Sequence, residues 1–170
     1  MTSAQPGAPT ESACVTDTGC CPRFDPTLWD EKELHWDHKP FVRDHVRALF
    51  HVPLGLKELF AREEQRIAAN HAGAAQPIVL SDDSSLFGAD YYFAVSKEIP
   101  GASMTDLSGH YLTKVFEGPY RNVPRWIEAM HDYAREHHKQ IDHLYFWYTT
   151  CPKCAQAYGK NYVVLFAKTR

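Results

Sequence analysis

The segment Tyr111-Leu-Thr-Lys-Val-Phe-Glu-Gly-Pro-Tyr120 reads as the end of a strand that turns, at Gly118-Pro119, into a helix. An earlier copy precedes it. Arg47-Ala-Leu-Phe-His-Val-Pro-Leu54 aligns without a gap to Thr113-Lys-Val-Phe-Glu-Gly-Pro-Tyr120, with Phe50 on Phe116 and Pro53 on Pro119. Two such copies predict a duplicated unit.

Working outward, the second half reads strand, helix, strand, strand. Gly109 to Glu117 is the first strand. Asn122 caps the helix, Pro124 fits its first turn, and Trp126, Ile127, Met130, Tyr133 and His137 recur on one face until about His138. Asp142 to Thr149 and Asn161 to Lys168 are strands, joined by a loop that carries Cys151-Pro-Lys-Cys154 and Tyr158-Gly159. The first half repeats the order. Phe41 to Val52 is a strand, although Asp44 and His45 weaken the pattern. Leu54 to His71 is a helix with a stripe of Leu56, Leu59, Phe60, Glu63 and Ile67, and Gly73 ends it. Pro77 to Leu80 and Asp90 to Ile99 are strands around the polar turn Ser81 to Ser85.

The fold class expected is α+β: a duplicated βαββ unit forming an antiparallel sheet with two helices on one face, with half-repeats at about 41–99 and 109–168. Residues 1–19, small and polar, read as a disordered tail. Residues 20–40 carry Phe24, Trp29 and Trp36 and read as an N-terminal arm packed on the domain of residues 41–170. Both faces of the strands are apolar. Leu144, Phe146 and Tyr148 alternate with Tyr145 and Trp147, and Tyr91, Phe93 and Val95 with Tyr92 and Ala94. Helices cover one face only, so the other is expected to meet a partner chain, the arm or a flat apolar ligand.

Composition bounds the function. A chain of 170 residues, 44% hydrophobic, makes one domain with its own core. A formal charge of -3 with scattered Lys and Arg argues against a direct nucleic-acid partner. No export signal or apolar run of membrane-spanning length is present, so the expectation is a soluble, cytoplasmic protein without membrane partners. Five cysteines without an export signal point to reduced thiols or a metal rather than a disulfide framework.

Val115-Phe-Glu-Gly-Pro-Tyr120, the helix with Trp126, and the closing pair of strands resemble the GyrI-like small-molecule-binding family, over about residues 41–168. The resemblance implies a cleft between the two halves for hydrophobic, often aromatic or cationic compounds. Some members of that family are effector domains of transcription regulators and others are free-standing binders. A further group resembles hydrolases that open reactive cyclopropane rings in DNA-alkylating natural products. The family often places a Glu in the strand after the second helix; here that strand is Leu144-Tyr-Phe-Trp-Tyr148, so either the pocket is neutral or Glu117 supplies the charge.

The candidate residues follow. Glu117 and His51 occupy matching positions of the two copies and could act as general acid and base, or merely cap helix starts. Tyr91, Phe93, Tyr111, Tyr120, Trp126, Tyr145 and Trp147 are candidate pocket walls, against the alternative of ordinary core. Cys151 and Cys154 have the spacing of a metal knuckle, which Cys20 and Cys21 could complete around a structural Zn²⁺, with His35 or His38 able to replace one of them. Plain reduced thiols and a redox pair are the competing uses; the loop position argues against the last. His131 and His138 share a helix face, though His138 more simply suits the helix C-terminus.

The function expected is binding of a hydrophobic or aromatic small molecule in the cleft. The alternative is a hydrolase acting on a reactive small molecule with Glu117 as acid/base. A third possibility is a zinc-holding interaction protein that uses its apolar sheet face to form a homodimer.

Overall fold

The structure, a computed structural model, describes residues 21–50, 52–83, 85 and 87–170. In chain order the elements are β1 (Lys32–Leu49), β2 (Val52–Pro53), α1 (Leu56–Ala69), β3 (Val79–Asp82), β4 (Gly88–Ala94), β5 (Met104–Glu117), α2 (Val123–Glu136), β6 (Ile141–Tyr148), α3 (Pro152–Tyr158) and β7 (Tyr162–Thr169). The tail at 1–19, Cys20 and His51 lie outside the described residues.

The expected sheet with two helices on one face is not what forms. The strands run β1-β4-β3-β6-β7-β5, and β5 pairs back onto β1, so six antiparallel strands close into a barrel; β2 adds a two-residue ladder beyond the end of β1. Length makes the closure possible. β1 has 18 residues and pairs on one edge with β5, from Lys32↔Thr113 to Val42↔Met104, and on the other with β4, from Phe41↔Ala94 to Arg47↔Gly88. The segment read as an arm therefore supplies the first half of β1. A register shift between Trp36 and Lys39, with His38 at φ 49° and its amide donating to Ser108 Oγ at 2.9 Å, bends the strand around the barrel.

Closure also explains the strands that are apolar on both sides. The inner face fills the barrel with Phe41, Leu80, Tyr92, Tyr111, Tyr145, Val164 and Phe166. The outer face carries two further cores. Val42, Val46, Tyr91 and Phe93 pack against Leu59 of α1, and Leu112, Phe146, Val163 and Leu165 pack against Trp126 and Met130 of α2. No partner chain or ligand is needed to cover either face, because the barrel interior covers one and the helices the other.

The N-terminal segment closes one barrel end. Trp29 is 7% exposed and packs on Trp147 and Phe166 at ring-centroid distances of 5.2 and 5.8 Å, while Phe24 meets Trp147 and Tyr162, both at 5.5 Å. The Thr113 hydroxyl donates to the Trp29 carbonyl at 2.6 Å. Two smaller expectations also change. Gly73 does not end α1, whose left-handed residue is His71 at φ 50°. The loop after β6 contains α3.

Candidate metal centre and predicted site residues

α3 follows β6 directly, with Cys151 as its N-cap residue and Cys154 in its first turn. An N-cap side chain and one three residues on lie close together, the geometry that a capping box uses, so the Cys-x-x-Cys spacing brings two sulfurs together at the start of a helix. The third comes from the segment that closes the barrel. The sulfur atoms of Cys21, Cys151 and Cys154 all lie within 4.8 Å of one another, Cys154 buried and the other two half-buried. Three such atoms can hold a metal ion.

Polar contacts fix the Cys21 segment there. The Cys151 amide donates to Cys21 Sγ at 3.4 Å, and the Tyr158 hydroxyl donates to the Cys21 carbonyl at 2.5 Å. The Arg23 guanidinium lies 4.8 Å above the Tyr158 ring. The Gly118-Pro119-Tyr120 turn reaches the same place. Gly118 has φ 137°, a conformation closed to L side chains, and an added Cβ would lie 3.3 Å from Asn122 Nδ2. Beyond the turn, the Tyr120 hydroxyl donates to the Thr150 carbonyl at 3.2 Å. Burial pushes the Tyr120 phenol up; a hydrogen bond with Asn161 opposes this, and the Cys151 and Cys21 sulfurs add to it.

Two parts of the cysteine reading change. Cys151-Pro-Lys-Cys154 does not sit in a plain hairpin loop but starts a helix after a strand, where a redox pair can belong. What favours metal over a two-sulfur redox site is the third sulfur. His35 and His38 are not part of the cluster: His35 stacks on His110 at 4.6 Å, and His38 Nδ1 meets Asp37 Oδ1 at 2.7 Å.

The other candidates are dispersed. Glu117 is exposed at the end of β5 and lines a shallow hollow of about 240 Å³ with Gly118, Ala155, Gly159, Lys160 and Asn161. Tyr91 and Phe93 lie under α1, Trp126 is on the buried face of α2, and Tyr111, Tyr145 and Trp147 are inside the barrel, so the seven aromatic residues do not share one cleft. Of these, Tyr120 alone is exposed, at 39%, edge-on to Tyr148. Burial pushes the Tyr111 phenol up to about 12. His131 and His138 are exposed on or just after α2, and His138 takes φ 55° beyond its end.

Sequence reasoning missed a polar group at the opposite barrel end, where Arg43, His45, Asp82, Asp90 and His143 continue the inner face beyond the core. The signal in the sequence is the charge at Asp44 and His45 in an otherwise apolar strand, which weakens the strand pattern and marks the mouth only once the β1–β4 register is known.

Among the described residues no helix is long and apolar enough to cross a membrane. A family model described as bacterial hydrolase matches residues 12–169, nearly the whole chain, and the chain belongs to that family. The matching family model is not that of the GyrI-like family expected from the sequence. No curated protein matches the chain.

Proposed function

With membership of the bacterial hydrolase family as the premise, we propose that the protein hydrolyses a small molecule and holds one structural Zn²⁺ on Cys21, Cys151 and Cys154. The observation that carries the metal is the convergence of three sulfurs from segments 130 residues apart in sequence. Donor sets dominated by thiolate are those of structural zinc, whereas catalytic zinc in hydrolases is held mainly by histidine and carboxylate with a bound water. The metal would tie the segment that closes the barrel to the β6–α3 junction. Catalysis is then free to lie elsewhere.

The test is metal analysis of the full chain purified without chelator, beside hydrolysis of a panel of p-nitrophenyl esters and phosphates. One zinc per chain and turnover of at least one probe class support both parts. Absence of metal removes the zinc, and absence of turnover across the panel removes the hydrolase. A second reading, binding without turnover, is favoured by the resemblance of Val115-Phe-Glu-Gly-Pro-Tyr120 to the GyrI-like family. Saturable quenching of tryptophan fluorescence by an aromatic cation, without turnover, would select it.

A further inference from the structure

At the barrel end remote from the cysteines, the inner face turns from apolar to polar within one residue pair per strand. Phe41 is followed on that face of β1 by Arg43 and His45, Tyr92 of β4 is preceded by Asp90, Leu80 of β3 is followed by Asp82, and Tyr145 of β6 is preceded by His143. Phe41, Leu80, Tyr92 and Tyr145 are buried, and the polar groups stand above them at the rim.

The polar groups are organised in pairs. His45 Nδ1 lies 2.8 Å from Asp90 Oδ1, and Arg43 Nη2 donates to Asp90 Oδ2 at 2.7 Å. His143 Nε2 lies 2.9 Å from Asp82 Oδ2. An ionised carboxylate only accepts, so each contacting ring nitrogen carries the proton and the other ring nitrogen is the basic one. The pairs belong to one group. Asp82 and Asp90 are direct cross-strand partners, and the Tyr92 hydroxyl feels Arg43 and both aspartates. The Tyr92 and Tyr145 rings meet edge-on at 5.6 Å below.

Two further features shape the mouth. Like charges directly opposite on neighbouring strands are destabilising, yet the chain keeps two aspartates there and gives each an imidazole. Gly88 also leaves space for His45: a Cβ at position 88 would lie 2.5 Å from His45 Cε1 and 2.6 Å from Nε2. The backbone is pared to its minimum beneath one imidazole, which holds the ring against Asp90.

We propose that this barrel mouth is the catalytic site, in which the His45–Asp90 pair activates water against a small uncharged carboxylic ester or lactone. This rests on the hydrolase reading above. Nε2 of His45 takes a proton from water as its oxygen bonds to the acyl carbon. The carbon–oxygen bond to the leaving group then breaks, and that oxygen takes the same proton back from the His45 imidazolium, so a carboxylic acid and an alcohol leave, His45 is restored and no other reactant is needed. An uncharged substrate suits the mouth because Asp82 and Asp90 would repel an anion and Arg43 already answers one carboxylate.

The test uses the full-length protein with p-nitrophenyl acetate as the turnover probe and phenylboronic acid, a mimic of the tetrahedral adduct, as the binding probe. Replacing His45 by Gln should lower kcat/KM at least about 100-fold, and His143→Gln should lower it less. His110→Gln, on the outer face, should leave it unchanged, and phenylboronic acid should shift the His45 and His143 imidazole resonances. Full turnover in both His45→Gln and His143→Gln would overturn the mouth and leave the hydrolase reading standing. Imidazole shifts without any wild-type turnover would support the mouth as a binding site while removing hydrolysis. Neither turnover nor shifts would overturn both.

Discussion

The amide nitrogen of Cys151 lies 3.4 Å from the sulfur of Cys21, so the start of α3 and the segment that closes the barrel meet at one cysteine side chain. Backbone donors of this kind orient a metal-ligating side chain. Cys154 lies fully buried beside them. Cys154→Ser should abolish metal binding and destabilise the fold by about 2–4 kcal/mol. Urea midpoints check this: chelation should bring the wild type down to the variant's midpoint and leave the variant unchanged.

Trp29 caps the barrel core, and its carbonyl accepts from the Thr113 hydroxyl at 2.6 Å. Trp29→Ala should cost about 3–5 kcal/mol, the range for a large buried aromatic. Thr113→Val should cost about 1–3 kcal/mol, because a buried carbonyl loses its donor while the volume is kept. Equilibrium unfolding in urea measures both, and equal costs would contradict the packing order.

Gly88→Ala separates stability from function. The clash falls on the end of a side chain that is 59% exposed, so the His45 ring can swing aside and the fold should lose less than about 1 kcal/mol. Turnover of p-nitrophenyl acetate should nevertheless fall as it does in His45→Gln. Unchanged turnover would mean that the position of the ring is immaterial.

Glu63 is fully buried on the inner side of α1, with Arg62 Nε 3.2 Å from one carboxylate oxygen and Arg66 Nη1 3.0 Å from the other. Burial first, then a hydrogen bond with Asp44, push its carboxyl above the ordinary 4.5 despite both arginines. For Asp44 burial acts upward too, but hydrogen bonds from Arg62, the His45 amide and Glu63 outweigh it and hold that carboxyl low. A raised carboxyl contributes stability below its unfolded value and loses it as pH climbs through the folded one. The wild type should therefore lose stability relative to Glu63→Gln as pH rises above 4.5. Urea midpoints of the two proteins from pH 4.5 to 8 measure the difference, and a constant gap would contradict the buried, proton-holding Glu63.

Much of the element order was legible because it is local. The stripe of Trp126, Met130 and Tyr133 announces α2, and the alternation from Leu144 to Tyr148 announces β6. Barrel closure was not legible, because it depends on β1 meeting β5 and β3 meeting β6, contacts between residues such as Leu34 and Tyr111 that no local pattern encodes. The apolar residues on both strand faces carried the information, but an open sheet whose second face meets a partner chain, an arm or a ligand gives the same pattern as a closed barrel. Cys151 and Cys154 were legible as a pair, and Cys21 was legible as their partner through its thiol chemistry. His45 and Asp90 were hidden by the same non-locality, since only the β1–β4 register sets them opposite each other.

The most direct test of the metal centre is zinc K-edge X-ray absorption on the full chain as purified. The prediction is zinc with a shell of at least three sulfurs at about 2.3 Å, lost in Cys154→Ser. A protein that contains no zinc, or zinc surrounded only by oxygen and nitrogen, would contradict it.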